Sequence, residues 1–236
     1  MINNEKKIIF IHIPKNAGTA IEWALMTSKE KKQCEKMMGY EEWKMQNYNG
    51  EKLTRHAKVY EYKNSLKEKY NDYKKFAVVR NPYERMVSWY LYLKKLVEDN
   101  EKRWFDLQLG YLVDKEKNKQ KLNDLMNYKP PKFNYTFKQF VSNHWKIAEL
   151  VKLSVGFAGN YKELFDPQFN WVDDTVEIIR YENLKEEIKK IINVDLTLRN
   201  VSNHEQEYIN YYTKQTADIV YNDYIEDFKI YNYEKL

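Results

Sequence analysis

"FIHIPKNAGTA", Phe10 to Ala20, decides the fold: an apolar, β-rich run stops at a proline, a short polar turn follows, and helix-start residues come next. Pro14 holds Ile13 extended and removes a ladder donor. Lys15 to Gly18 therefore form an exposed turn at the carboxyl end of a strand over Lys7 to Ile13. Gly18 lets backbone approach a ligand closely. Thr19-Ala20-Ile21-Glu22 has capping-box spacing, which predicts a helix beginning at Thr19 and gives Glu22 a structural role. Free helix N–H groups, the helix dipole and the Lys15 ammonium then converge on one point, as a phosphate requires. The turn lacks the Gly-Lys-Ser/Thr ending with which a nucleotide-triphosphate loop holds phosphate and Mg²⁺.

The layout recurs in "FAVVRNPYERMVSWY", Phe76 to Tyr90. A strand over Lys75 to Arg80 leads to Asn81 as N-cap, Pro82 at the first helical position and Glu84 closing the box, with Ser88 further along the helix. A third strand, Thr175 to Arg180, precedes Asn183 and Glu186, again at capping-box spacing. Strands alternating with helices predict one α/β domain with a parallel central sheet flanked by helices. Arg80 then stands in the crevice outside the strand ends, beside the first turn if the two strands are neighbours. The charged stretch from Asp99 to Tyr135 reads as a helical or loop insertion with a solvated face. Glu207 to Tyr233 reads as one or two amphipathic helices packed on the sheet.

Composition bounds the function. The 236 residues are 43% hydrophobic and 32% charged, and no run is apolar enough to span a membrane. The first residues carry no signal-peptide pattern, so a cytoplasmic protein is expected. A net charge of +5 favours anionic ligands but falls short of a nucleic-acid-binding signature. Cys34 is the single cysteine, so no internal disulfide forms, and Cys34, His12, His56, His144 and His204 lack zinc-ligand spacing. His12 reads as a packed strand residue, because both faces of a parallel sheet are covered.

With both turns in place, "HIPKNAGTAI" and "FAVVRNPYERMVSWY" together resemble the two cofactor motifs of sulfotransferases that use 3′-phosphoadenosine-5′-phosphosulfate (PAPS), in the carbohydrate, heparan 2-O-sulfotransferase-like group. "HAKVYEY" from His56 resembles that family's His segment. "PQFNWVDDTVEIIRYENL" is similar to its Gln/Trp stretch and third strand, and "NVSNHE" to its C-terminal cofactor loop. The resemblance covers the chain except for about Asp99 to Tyr135. It implies a three-layer, P-loop-like fold and sulfuryl transfer to a hydroxyl acceptor, a glycan or glycolipid, leaving adenosine 3′,5′-bisphosphate (PAP). It also implies that Lys15, Asn16, Ala17, Gly18, Thr19 and Ala20 grip the 5′-phosphosulfate, that Arg80 and Ser88 grip the 3′-phosphate, and that Asn200 and Ser202 are further cofactor contacts. Members often carry Thr-Gly or Thr-Ala where this chain has Asn16-Ala17, and Ser in place of Ala20; losing that hydroxyl removes one phosphate donor.

The resemblance places Lys15 to stabilise the charge that develops on the leaving oxygen, and His56 as general base, the role histidine fills most often because it titrates near neutrality. Glu61 is the substitute base. His144 and His204 carry weaker claims, and Gln168 and Trp171 are candidate neighbours of acceptor or adenine. Glu182, between a strand end and a helix cap, pairs most simply with Arg180. Two alternatives stay open: a nucleotide-dependent kinase on a related scaffold, favoured by strict Mg²⁺ dependence with ATP turnover, and a non-catalytic nucleotide-binding module, favoured by binding without transfer.

Overall fold

The computed structural model describes residues 1–31, 46–48, 51–113, 133–155, 161–197 and 207–236. Its central sheet has four strands, β1 (Ile2–Asn3), β2 (Ile8–Ile11), β5 (Lys74–Val79) and β6 (Glu177–Arg180), in the order β1-β2-β5-β6. β2, β5 and β6 are parallel, with Ile11 opposite Ala77 and Val79 opposite Arg180. β1 returns antiparallel on the outer edge of β2, so the sheet is mixed rather than wholly parallel as expected. A separate hairpin joins β3 (Gln46–Tyr48) to β4 (Glu51–Leu53).

Alternation along the strands sorts the core into two clusters, one on each face of the sheet. Ile8, Phe10, Phe76 and Val78 pack with α1 (Gly18–Leu25) and with Leu184, Ile188 and Ile192 of α6 (Leu184–Ile192). Ile9, Ile11, Ala77 and Val79 pack with α2 (Val59–Leu66), the long α3 (Pro82–Val113) and α4 (Phe137–Val155). The same cluster takes in α7 (Lys214–Asp223) and α8 (Ile225–Ile230), two helices where one or two amphipathic helices are expected; a short α5 (Tyr161–Leu164) lies between α4 and β6. Covering both faces is why the parallel strands read as unbroken apolar runs.

Residues 99–113 of the expected insertion continue α3 as helix, and residues 114–132 lie outside the described residues. So do Cys34, Asn200, Ser202 and His204. Asn183 precedes α6 as its N-cap but makes no capping bond through its side chain, so the box expected with Glu186 does not form. Because β2 and β5 are adjacent and parallel, the turns that follow them open side by side at one edge of the sheet.

Candidate active site

The first turn is strained. Lys15 and Ala17 both adopt left-handed backbone, with φ of 70° and 60°, a region that disfavours side chains carrying a Cβ. α1 begins at Gly18, one residue before the expected start, with Ala17 as an N-cap that offers no side-chain bond. The first backbone bonds into α1 run from Ala20 and Ile21 to the Ala17 carbonyl. Among the described residues, the amides of Lys15, Asn16, Ala17, Gly18 and Thr19 find no acceptor. A row of unmet N–H groups curled by left-handed residues is an anion-binding concavity. Gly18 is required for a reason beyond ligand approach: a Cβ there would overlap the His12 imidazole beneath it.

Under that turn sits a buried charge cluster. His12 and Glu22 are both buried, and Arg55 donates from Nε to Glu22 Oε2 at 2.7 Å and from Nη2 to Thr19 Oγ1 at 2.6 Å. His12 Nδ1 lies 2.7 Å from Glu22 Oε1. Burial alone would raise the Glu22 carboxyl, but His12 and Arg55 outweigh it and hold it ionised. Burial lowers His12 to about 4, so a neutral ring donates its Nδ1 proton to Glu22, and the 3.1 Å approach of Arg55 Nε to the same nitrogen is a close contact only. Two expectations are corrected here. Glu22 does not cap α1, because its carboxylate reaches Arg55 instead, and His12 lies past the end of β2 as a hydrogen-bonded member of this cluster.

His56 adjoins the same cluster. Its Nδ1 stands 3.1 Å from the His12 carbonyl, and its ring meets the His12 ring edge-on at 4.5 Å. A carbonyl only accepts, so Nδ1 carries the proton and Nε2 keeps its lone pair. Burial, then His12 and Arg55, hold the His56 pKa well below its ordinary value. His56 is therefore neutral at pH 7, the protonation state a base needs.

The second turn is closed by its own residues except at one donor of Arg80. Asn81 caps α3 as expected, its Oδ1 accepting from the Tyr83 amide at 2.9 Å. Glu84 does not close a box but takes Arg80 Nη2 at 2.6 Å. Arg80 Nη1 donates to the Lys15 carbonyl at 3.2 Å, and the face of Tyr181 lies 4.2 Å from its guanidinium carbon. Arg80 Nε is buried without a partner among the described residues, which leaves one donor plus the second proton on each terminal nitrogen. Ser88 is buried on the same helix.

One side chain ties the turns together. Gln168 Oε1 accepts from Asn16 Nδ2 at 2.7 Å and from the Arg80 amide at 2.9 Å, while Nε2 donates to the Arg80 carbonyl at 2.9 Å. Asp227 of α8 holds Gln168 through its backbone amide at 2.8 Å. Asn16 also donates to the Val78 carbonyl at 2.7 Å. Arg85, one turn into α3, donates to the carbonyls of Pro14, Leu164 and Asp166.

Lys15 has no carboxylate within ion-pair distance among the described residues. Burial, followed by Arg80, Arg55 and Lys95, lowers its pKa to about 7. Like charges gathered without a counter-anion destabilise each other until an anion arrives. The five free amides, this cation group and the unpartnered Arg80 Nε fit a ligand with two separated anionic groups.

The chain matches the model of the Sulfotransferase family over residues 1–234. It belongs to that family. The protein is thus an enzyme of sulfuryl transfer, and the kinase alternative falls away. No curated protein and no solved structure matches the chain. Among the described residues no helix is long and apolar enough to cross a membrane, and no group of histidine, cysteine and carboxylate side chains is placed to hold a metal.

In this sulfotransferase the fold brings together Lys15 to Ala20, His56 and Arg80 around the ends of β2 and β5, and Ser88 lies buried on α3. Other candidates are spoken for. Gln168 is entirely buried as the bracket between the turns, which excludes it as an acceptor or adenine neighbour. Trp171 is core, edge-on to His56 at 6.4 Å. Glu61 accepts from the Lys58 amide at the start of α2, so it is not a free base. His144 is packed beside Phe140 and Phe165 and bonded to the Val141 carbonyl. Glu182 lies 3.6 Å from Arg180 and accepts from Tyr233. Arg55 was missed by sequence reasoning, since nothing local marks it. Glu22 left a signal: it interrupts the buried run of Ala20, Ile21 and Leu25 with a carboxylate, which demands a partner.

Proposed function

We propose that this enzyme transfers the sulfuryl group of PAPS to a hydroxyl of a carbohydrate acceptor, on the three-layer, P-loop-like scaffold that goes with that chemistry. The observation that carries the reading is the pair of adjacent turns bracketed by Gln168, one with five amides that find no acceptor and a lysine that finds no carboxylate among the described residues, the other presenting Arg80. A nucleotide bearing anions at both its 5′ and 3′ positions matches two such turns, and a nucleotide with a 5′ group alone leaves Arg80 Nε unmet.

In this reading the amides of residues 15 to 19 and the Thr19 hydroxyl hold the 5′ group, with Arg55 keeping Thr19 Oγ1 oriented. Arg80 and Ser88 hold the 3′-phosphate. PAPS supplies an activated sulfuryl group and a leaving phosphate. Lys15 places its ammonium where negative charge develops on the departing oxygen, a preorganised electrostatic contribution. His56 Nε2 takes the acceptor proton, its tautomer fixed by the His12 carbonyl.

Thermal unfolding with adenosine 3′,5′-bisphosphate, beside AMP, ADP and ATP with Mg²⁺, tests the donor. At about 100 times its dissociation constant the bisphosphate adds roughly 2.7 kcal/mol, on the order of 5 °C for a chain of this size. A shift with ATP and Mg²⁺ alone would overturn the proposal. Labelled PAPS with a glycan panel then tests the acceptor, and binding without transfer to any member would favour a non-catalytic module.

A further inference from the structure

Among the described residues Lys15 has Arg80, Arg55 and Lys95 bearing on it and no carboxylate within ion-pair distance, so something other than a counter-charge must hold it at the turn. Its backbone is fixed: φ is left-handed, and its carbonyl accepts from Arg80. Its Nζ lies 3.9 Å from the centroid of the Tyr92 ring and 5.7 Å from that of Trp89. Trp89 is buried and stacked on Phe165 at 4.5 Å, and Tyr92 meets it nearly edge-on at 5.9 Å. The inner ring is thereby locked by the core, while Tyr92, 37% exposed, stands at the rim. Ser88, Tyr92 and Lys95 follow at spacings of four and three, which puts them on one face of α3. The helix that carries the second motif therefore also carries the seat of the first motif's lysine.

We propose that Tyr92, backed by Trp89, is a positioning residue that seats the Lys15 ammonium at the mouth of the first turn. A ring face attracts an ammonium through its quadrupole without neutralising it. A carboxylate in the same place would hold Lys15 more tightly but cancel the charge that the leaving oxygen needs. The aromatic seat restricts the rotamers of a long side chain and leaves its charge available, which is preorganisation at small energetic cost. The inference rests on the proposed nucleotide site, and Arg55, which bears on both Lys15 and Tyr92, ties the seat to the His12-Glu22 cluster.

Calorimetric titration of the full chain with adenosine 3′,5′-bisphosphate tests it, using Y92L, which keeps bulk and loses the ring, Y92F, which keeps the ring, K15M, and the Y92L/K15M pair. Y92L should weaken binding roughly three- to tenfold, with Y92F recovering most of the loss. In the K15M background Y92L should cost nothing further, since a residue acting through Lys15 has nothing left to act on. Equal affinity of Y92L and wild type, tighter binding by Y92L, a loss in Y92F as large as in Y92L, or a full additional loss in the pair would each overturn the seat. Wild-type protein that does not bind the bisphosphate, or K15M that binds it undiminished, would instead overturn the donor site, a different pattern of results.

Discussion

The turns after β2 and β5 start from the same sequence plan and end in opposite states. The second turn is closed by its own residues: Asn81 caps the helix, Pro82 needs no donor, and Glu84 pairs with Arg80. The first is open, with two left-handed residues that are not glycine, five amides that find no acceptor among the described residues, and a lysine among like charges. Strain and unmet polar groups persist only where the surroundings enforce them, and here Gln168, Arg85 and the His12-Glu22-Arg55 cluster do so. On the proposed function, reactivity concentrates in the open turn, while the closed one gives register and selectivity.

The largest break in that comparison comes from Lys15→Ala, expected to lower sulfuryl-transfer kcat/KM by about 10²- to 10³-fold, the usual loss of a preorganised charge. Release of adenosine 3′,5′-bisphosphate in single-turnover runs measures it, and a loss under about tenfold would place the critical charge elsewhere. Arg80→Ala probes the closed turn. It should weaken the bisphosphate by at least about tenfold and leave AMP little changed, because charge-assisted bonds contribute roughly 1.5–3 kcal/mol. Equal weakening of both nucleotides in a competition assay would mean that Arg80 serves only to latch the Lys15 carbonyl.

A third contrast is in pH. Lys15, lowered to about 7, is charged below that pH and neutral above it in the free enzyme. Bisphosphate affinity should therefore fall by up to about tenfold per unit above pH 7, and Lys15→Arg, whose guanidinium does not titrate, should flatten the curve. An unbent profile to pH 9 in the wild type would contradict the cationic crowding at Lys15. The smallest effect is on stability. Ala17→Gly relieves one left-handed residue and should add about 1 kcal/mol, roughly 2–4 °C by calorimetry, while Asn81→Gly in the second turn only loses a cap. A lower Tm for Ala17→Gly would show that the strain at Ala17 is not intrinsic to its backbone.

What the sequence made legible follows its range. Strand, turn and helix succession depends on neighbours in the chain, so β2, β5, β6 and the Asn81 cap were readable, and the resemblance of the two turns named the family. Glu22 was misread for the same reason. Three residues from Thr19 it has the spacing of a cap, but the partner that claims it is Arg55, 33 positions away. Gln168 makes its bracket across 152 positions to Asn16, a contact no periodicity encodes. His12 looked like core because an apolar strand led into it, and only the fold reveals that the strand has already ended there.

Gln168 turns the gap between the two turns into a fixed gauge. Asn16 on one side and both polar groups of the Arg80 backbone on the other are pinned to a single amide, itself anchored by Asp227. Neither turn can shift alone toward a shorter or longer ligand without abandoning a buried hydrogen bond. On the proposed function, donor preference is thus a joint property of four residues on four separate segments. Laboratory evolution of this scaffold should find new donors only by concerted substitutions.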